Sequence, residues 1–175
     1  LRASDTLTLG PASSTLATGG AGLPGGHVDL LGAQVAVLGQ AGVDVSGDTG
    51  GGAIRLGGGA QGQDRSVPNA RAVFMGPQST LRADAGEQGA GGSIVLWSDQ
   101  ATRAYGTLSA HGGRLGGDGG FIETSGGWLD ARPAGVDVSA RGAGQYGKPG
   151  TWLLDPNNIL KIGRASCRER VSLNV

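Results

Sequence analysis

Two short patterns recur along the chain, and both alternate apolar with polar positions. The first is Gly-Gly-x-aliphatic. It occurs as Gly25-Gly26-His27-Val28, Gly51-Gly52-Ala53-Ile54, Gly91-Gly92-Ser93-Ile94 and Gly119-Gly120-Phe121-Ile122, with Pro149-Gly150-Thr151-Trp152 as a degenerate fifth copy. Its aliphatic or Trp position falls at 28, 54, 94, 122 and 152, giving spacings of 26, 40, 28 and 30. The second pattern lies between these and ends in glycine: Val43–Gly47, Leu81–Gly86, Leu108–Gly112 and Val138–Gly142. Gln34–Leu38 and Ile54-Arg55-Leu56 alternate in the same way. Apolar residues at i and i+2 are the period of a half-buried strand. No stretch of ten residues carries the helical period.

Short strands that repeat every 26 to 40 residues predict a β-solenoid, an all-β parallel β-helix. The Gly-Gly pairs predict corners. Equivalent residues of successive copies should stack in register along the axis. Val28, Ile54, Ile94, Ile122 and Trp152 are therefore expected to form one inward ladder, with Arg55 on the solvated outer face and nearly neutral to substitution. Gln61 to Pro77, inside the longest spacing and richer in Pro, Asn and Gln, reads as a loop or extra-rung excursion. The competing fold is an antiparallel sandwich, which short turns also permit.

Composition sharpens this picture. Glycine supplies 37 of 175 residues and aromatics only 4%, against an ordinary glycine share of ~7%. A thin core of small aliphatics suits both numbers. The glycines have no strict third-residue period, which excludes collagen. No stretch approaches the ~20 apolar residues of a membrane helix.

The net charge of zero is a sum of unlike parts. Residues 1–160 carry ten Lys and Arg against thirteen Asp and Glu, a net of −3. Residues 161–175 carry Lys161, Arg164, Arg168 and Arg170 against Glu169, a net of +3, together with the only cysteine, Cys167. The run Ile162–Val171 looks like one reading frame of a common sequencing-library adapter. Residues 1–160 are thus expected to form a β-helix segment of a larger secreted protein, and 161–175 a non-native or disordered tail. An acidic body without a basic cluster argues against nucleic acid as a partner.

Gly91–Asp99 (GGSIVLWSD), Gly106–Gly113 (GTLSAHGG), Gly117–Gly126 (GDGGFIETSG) and Gly150–Ile159 (GTWLLDPNNI) together resemble filamentous haemagglutinin-like exoproteins, the large products of two-partner secretion in Gram-negative bacteria. The resemblance covers roughly residues 20 to 160. It implies a right-handed parallel β-helix and export by an outer-membrane two-partner secretion transporter. It further implies adhesion at the bacterial cell surface, to host-cell or surface glycans or proteins. That family's Asn-Pro-Asn-Gly-type signature is not present, so the transporter is expected to read a region outside this chain.

Candidate chemistry is sparse. Gly142–Gly147 fits GxGxxG and, with Lys148, GxxxxGK, but Pro149 stands where Ser or Thr should bind magnesium and a strand follows instead of a helix. Gly116-Gly117-Asp118-Gly119-Gly120 is similar to a calcium-binding nonapeptide, yet no copy follows at nine residues. His27 and His111 stand 84 residues apart and suggest no metal site. Glu123, Asp130 and Asp137 are the acids that would line one face in a carbohydrate-active β-helix enzyme, a polysaccharide lyase or glycosidase. Trp97, Trp128 and Trp152 are expected to close ends or corners of the core, with sugar stacking as the functional alternative. The reading is no enzyme, with no catalytic, cofactor-binding or metal residues: an adhesive stalk segment. The rivals are the carbohydrate-active enzyme and a stalk delivering a downstream toxin or haem-binding module.

One test belongs to the sequence itself. Re-sequencing the 3′ end from genomic DNA is expected to show that Ile162–Val171 is not encoded in frame; an in-frame genomic match removes the tail assignment.

Overall fold

The computed structural model describes residues 1–142, 147–159 and 171–172, with backbone alone for 156–159 and 171–172. It is a parallel β-solenoid of about five turns. The chain opens with β1 (Thr6–Leu9) and β2 (Ser14–Leu16). A full turn then has three strands: β3 (His27–Leu30), β4 (Gln34–Val37) and β5 (Gly42–Asp44). The next repeats the plan as β6 (Ala53–Leu56), β7 (Ala70–Met75) and β8 (Thr80–Arg82). In the following turns the first two strands run together, as β9 (Ser93–Ala104) before β10 (Thr107–Ser109) and β11 (Phe121–Ala131) before β12 (Gly135–Asp137). β13 (Thr151–Ile159) starts another turn, and β14 (Val171–Ser172) pairs with it.

Every pairing between these strands is parallel, which excludes the sandwich. The strands fall into a nine-stranded and a five-stranded sheet. The first-strand column is β3–β6–β9–β11–β13, with Val28, Ile54, Ile94, Ile122 and Trp152 in consecutive register. The expected ladder therefore exists. Its four aliphatics are buried, and Trp152 packs half-buried against them. A second column carries Val35, Val73, Thr102 and Leu129, and a third Val43, Leu81, Leu108 and Val136. Alternation gives each strand a second inward row, as in Leu30, Leu56 and Leu96. Burying one such side chain contributes ~1.5–3 kcal/mol, so the stacked rows are the main stabilising term.

The Gly-Gly corners have a steric cause. The amide of the second glycine donates to a third-column carbonyl across the corner: Gly52 to Val45 at 2.8 Å, and Gly92 to Ala83, Gly120 to Ala110 and Gly150 to Val138 at 2.7 Å. A Cβ on Gly51, Gly91 or Gly119 would lie 1.9–2.0 Å from the corresponding carbonyl oxygen of the next turn, that of Ala83, Ala110 or Val138. A Cβ on Gly52, Gly92, Gly120 or Gly150 would lie 1.9–2.1 Å from the carbonyl of the equivalent glycine one turn below. Only hydrogen fits in either column.

Two sequence expectations are corrected. Gln61 to Pro77 is not all loop: Ala70–Met75 is β7, with Val73 and Met75 buried and paired to β4 and β9. The Pro and Asn that flank it mask an ordinary alternating strand. The fourth copy of the second pattern starts at Val136, which pairs with Leu108; Val138 falls beside Ala110. A two-residue slip leaves the inward face unchanged, so alternation alone does not reveal it. Of the tail, Val171 and Ser172 pair with Trp152 and Leu153; the rest of 161–175 lies outside the described residues.

These columns set graded costs. Ile94→Asp should cost ~3 kcal/mol or more, because it strands a charge in a dry core. Gly92→Ala should be similarly severe. Gly10→Ala, where a Cβ meets nothing within 4 Å, should stay within ~0.5 kcal/mol. Urea-denaturation midpoints of the three variants check the ranking.

Candidate functional site

The segment Gly57–Asn69 connects β6 and β7. It folds as a clasp over the outer face of β9 and β11, with a 3₁₀ turn at Ala60–Gly62. Gly57 begins it in the left-handed region, φ +83°. Arg55 pins its far side. The guanidinium donates to Asp29 through Nε (2.7 Å) and Nη2 (2.8 Å), and to Asp64 of the clasp through Nη1 (2.7 Å). His27 Nε2 lies 2.5 Å from the same Asp29 carboxylate. Burial works against ionisation of Asp29, but the Arg55 and His27 hydrogen bonds outweigh it and hold the carboxyl below its usual range. Hydrogen bonds from Ser66, then the Arg55 charge, lower Asp64.

The clasp seats on Trp97. A Cβ on Gly62 would come within 2.4 Å of the indole ring, so the backbone lies directly against it. Trp97 Nε1 donates to Asp99 (3.1 Å), and Asn69 Nδ2 ties Gly62 O (3.1 Å) to the same Asp99 carboxylate (3.0 Å). Beneath the clasp lies Glu123, which is fully buried. Its Oε1 accepts the Gln61 backbone N–H at 2.9 Å, while Oε2 has no partner, and neither has the buried Oγ of Ser125. Desolvation pushes the Glu123 carboxyl above its usual range, and the negative charge of Asp155 adds to this.

Asp130 and Asp137 do not join Glu123. Asp130 lies past the Gly126 irregularity of β11, held by Arg132 (2.7 and 2.6 Å) and by the Tyr105 hydroxyl (2.8 Å). The Arg132 hydrogen bonds keep it below its usual range. Asp137 belongs to the other sheet and accepts from Ser139 N and Arg141. Burial opposes ionisation of Asp137, but the Ser139 and Arg141 hydrogen bonds prevail and lower it. The three acids thus occupy three strand columns and share no groove.

The remaining candidates are structural. Asp118 Oδ1 accepts the Lys148 N–H at 2.7 Å and braces a corner. Among the described residues no three His, Cys, Asp or Glu side chains are placed to hold an ion. The two histidines stay apart, His27 with Asp29 and His111 with Asp84. Residues 143–146 of the GxGxxG stretch lie outside the described residues. Trp152 caps the core as expected, with Nε1 donating to Thr124 Oγ1 at 3.1 Å. Trp97 and Trp128 instead lie on the outer face, Trp97 under the clasp and Trp128 beneath the Arg103 guanidinium at 5.2 Å. Two clusters escaped the sequence reading. One is Asp84, nearly buried, accepting from Ser109 Oγ (2.6 Å) and His111 N (3.0 Å). The other is the Arg55 bridge. Aligning the repeats offered a signal for it, since Asp29 and Arg55 hold the same position in successive copies.

No family model matches the sequence, and no curated protein matches it. Among solved structures the chain is similar to the HMW1 secretion domain from Haemophilus influenzae, with a TM-score of 0.58 and 23% identity. The likeness covers 87% of this chain and 43% of that one, so the chain spans less than half the length of the structure it matches. At this identity the likeness is one of fold.

The Arg55 bridge reverses the expectation of a neutral outer position. Arg55→Asp would set a third carboxylate between Asp29 and Asp64, at an expected cost of ~1–3 kcal/mol. Arg65→Ala, at an exposed clasp position, should stay within ~0.5 kcal/mol. Thermal or chemical unfolding of both variants decides between bridge and solvated residue.

Proposed function

We propose that this chain is a rigid β-helical segment of a secreted exoprotein of the two-partner kind, an adhesive stalk exported through an outer-membrane transporter and performing no catalysis itself. The observation that carries this is the repeated rung. The turns stack the same apolar columns on the same glycine corners, a plan that extends along an axis without limit. The fold shared with the HMW1 secretion domain supports the export route. The family resemblance of residues 20 to 160 supports secretion to the bacterial surface, with host or surface glycans and proteins as the binding partners. The separation of Glu123, Asp130 and Asp137 weighs against a carbohydrate-active enzyme, which needs convergent carboxylates.

Glu123 is the one feature that favours the enzymatic reading, because a carboxyl raised by burial is the form a general acid takes. Two assays on the purified chain test the proposal together. Binding to cultured epithelial cells or to arrayed glycans is expected, with no new reducing ends or unsaturated uronates released from common polysaccharides. Absence of binding removes the adhesive role. Polysaccharide cleavage that Glu123→Gln abolishes replaces the stalk with an enzyme.

A further inference from the structure

We propose that the Gly57–Asn69 clasp is a pH-sensitive latch, shut over a protonated Glu123 and released when that carboxyl ionises. This goes beyond the stalk reading and does not depend on it.

The argument begins with unpartnered atoms. A buried carboxylate needs several donors, and Glu123 has one, the Gln61 N–H on Oε1. Its Oε2 and the Ser125 Oγ are both buried without partners, two residues apart on the outward row of β11. Ser125 can pair with either form of the carboxyl, so what favours the protonated form is the lack of water around a side chain that is 0% exposed. An ionised Glu123 draws on the Gln61 N–H and the Ser125 hydroxyl as donors, and both favour the charge. Burial outweighs them, because two donors do not replace the water that a carboxylate loses.

Beyond Gln61 and Ser125 the surroundings offer no compensation. In register below Glu123 stands Val95 of β9, with Trp97 beside it, and above it Leu153 of β13. Asp155, also from β13, is a like charge that further opposes ionisation. From the clasp, Asp64 is committed to Arg55 and Ser66; from β9, Asp99 is committed to Trp97 and Asn69. Among the described residues no cation offsets the Glu123 charge.

The clasp is built to move between fixed ends. Arg55–Asp64 pins one point and Asn69–Asp99 another. Between Gly57 and Asp64, Gln61 adopts φ +53°, a left-handed backbone that a non-glycine residue holds only under constraint. Releasing the Gln61 N–H from Glu123 frees that strain and uncovers Glu123, Ser125 and the face of Trp97.

The sign follows from proton linkage. Once the clasp opens, Glu123 meets solvent and titrates near its ordinary value of 4.5; with the clasp shut, the carboxyl titrates higher. Between those two values the shut state binds more protons. The preference for the shut state is therefore complete below the ordinary value. It weakens as pH rises toward the raised one, by up to tenfold per pH unit for one proton, and then levels off.

Hydrogen-exchange mass spectrometry of peptides spanning 57–63, corrected for intrinsic exchange, tests this from pH 4 to 9. The expected result is an opening constant that climbs with pH and then plateaus. Glu123→Gln should abolish the slope, while Asp155→Asn should keep the transition and move it to lower pH. Circular dichroism reports whether each variant retains the coil. A flat profile in the unmodified chain, or a slope that survives Glu123→Gln, overturns the latch. Should Glu123→Gln fail to fold, Asp155→Asn decides alone: a displaced transition supports the latch and an unmoved one overturns it.

Discussion

The structure depends on one close approach, between the Gly-Gly corners and the carbonyls that surround them. At each corner one third-column carbonyl accepts the amide of the second glycine, while the equivalent carbonyl of the next turn occupies the space where the first glycine would carry a Cβ. The carbonyl of the equivalent glycine one turn below excludes a Cβ from the second glycine. This double exclusion fixes where each turn closes. Because every turn closes at the same point, the residue two places on always enters the core at the same angle. The ladder Val28, Ile54, Ile94 and Ile122 follows from that geometry.

A narrow core explains the composition. Inward rows a few residues wide accept Val, Ile, Leu and Ala, and leave the aromatics to a cap, Trp152, or to the outer face, where Trp97, Trp128, Phe74 and Tyr105 lie. The interior turns polar in the late turns. Ser98 and Thr102 bond each other at 2.8 Å, and Thr102 also donates to the Ser125 carbonyl. These buried hydroxyls are satisfied within the bend that joins the two halves of β9 and β11, so the ladder tolerates them.

The clasp is where the chain departs from its repeat. It converts an outer row that elsewhere faces solvent into a covered one, and Glu123 is the residue caught beneath. A stalk needs only the repeat; a covered carboxyl with an unpartnered oxygen is a cost the repeat does not require. That contrast separates the scaffold, which carries the two-partner reading, from the clasp, which carries the proposed latch.

Alternation and the Gly-Gly-x-aliphatic repeat determined the solenoid, its parallel stacking and the inward ladder. These are local rules: a period of two sets which side is apolar, and identical corners place like on like. The position of the Val136 strand was not readable from the same rules, because a two-residue slip preserves every inward residue. Nor was β7, whose alternation is hidden between prolines. Arg55 and Asp64 share a turn, but Asp29, Glu123 and Asp155 belong to three others. The Asp29–Arg55 pair follows from the register of the repeats, but only the folding of Gly57–Asn69 back over β9 and β11 adds Asp64 to that pair and covers Glu123. Burial and partnership depend on which distant segments meet, and that is set by the tertiary path of the chain.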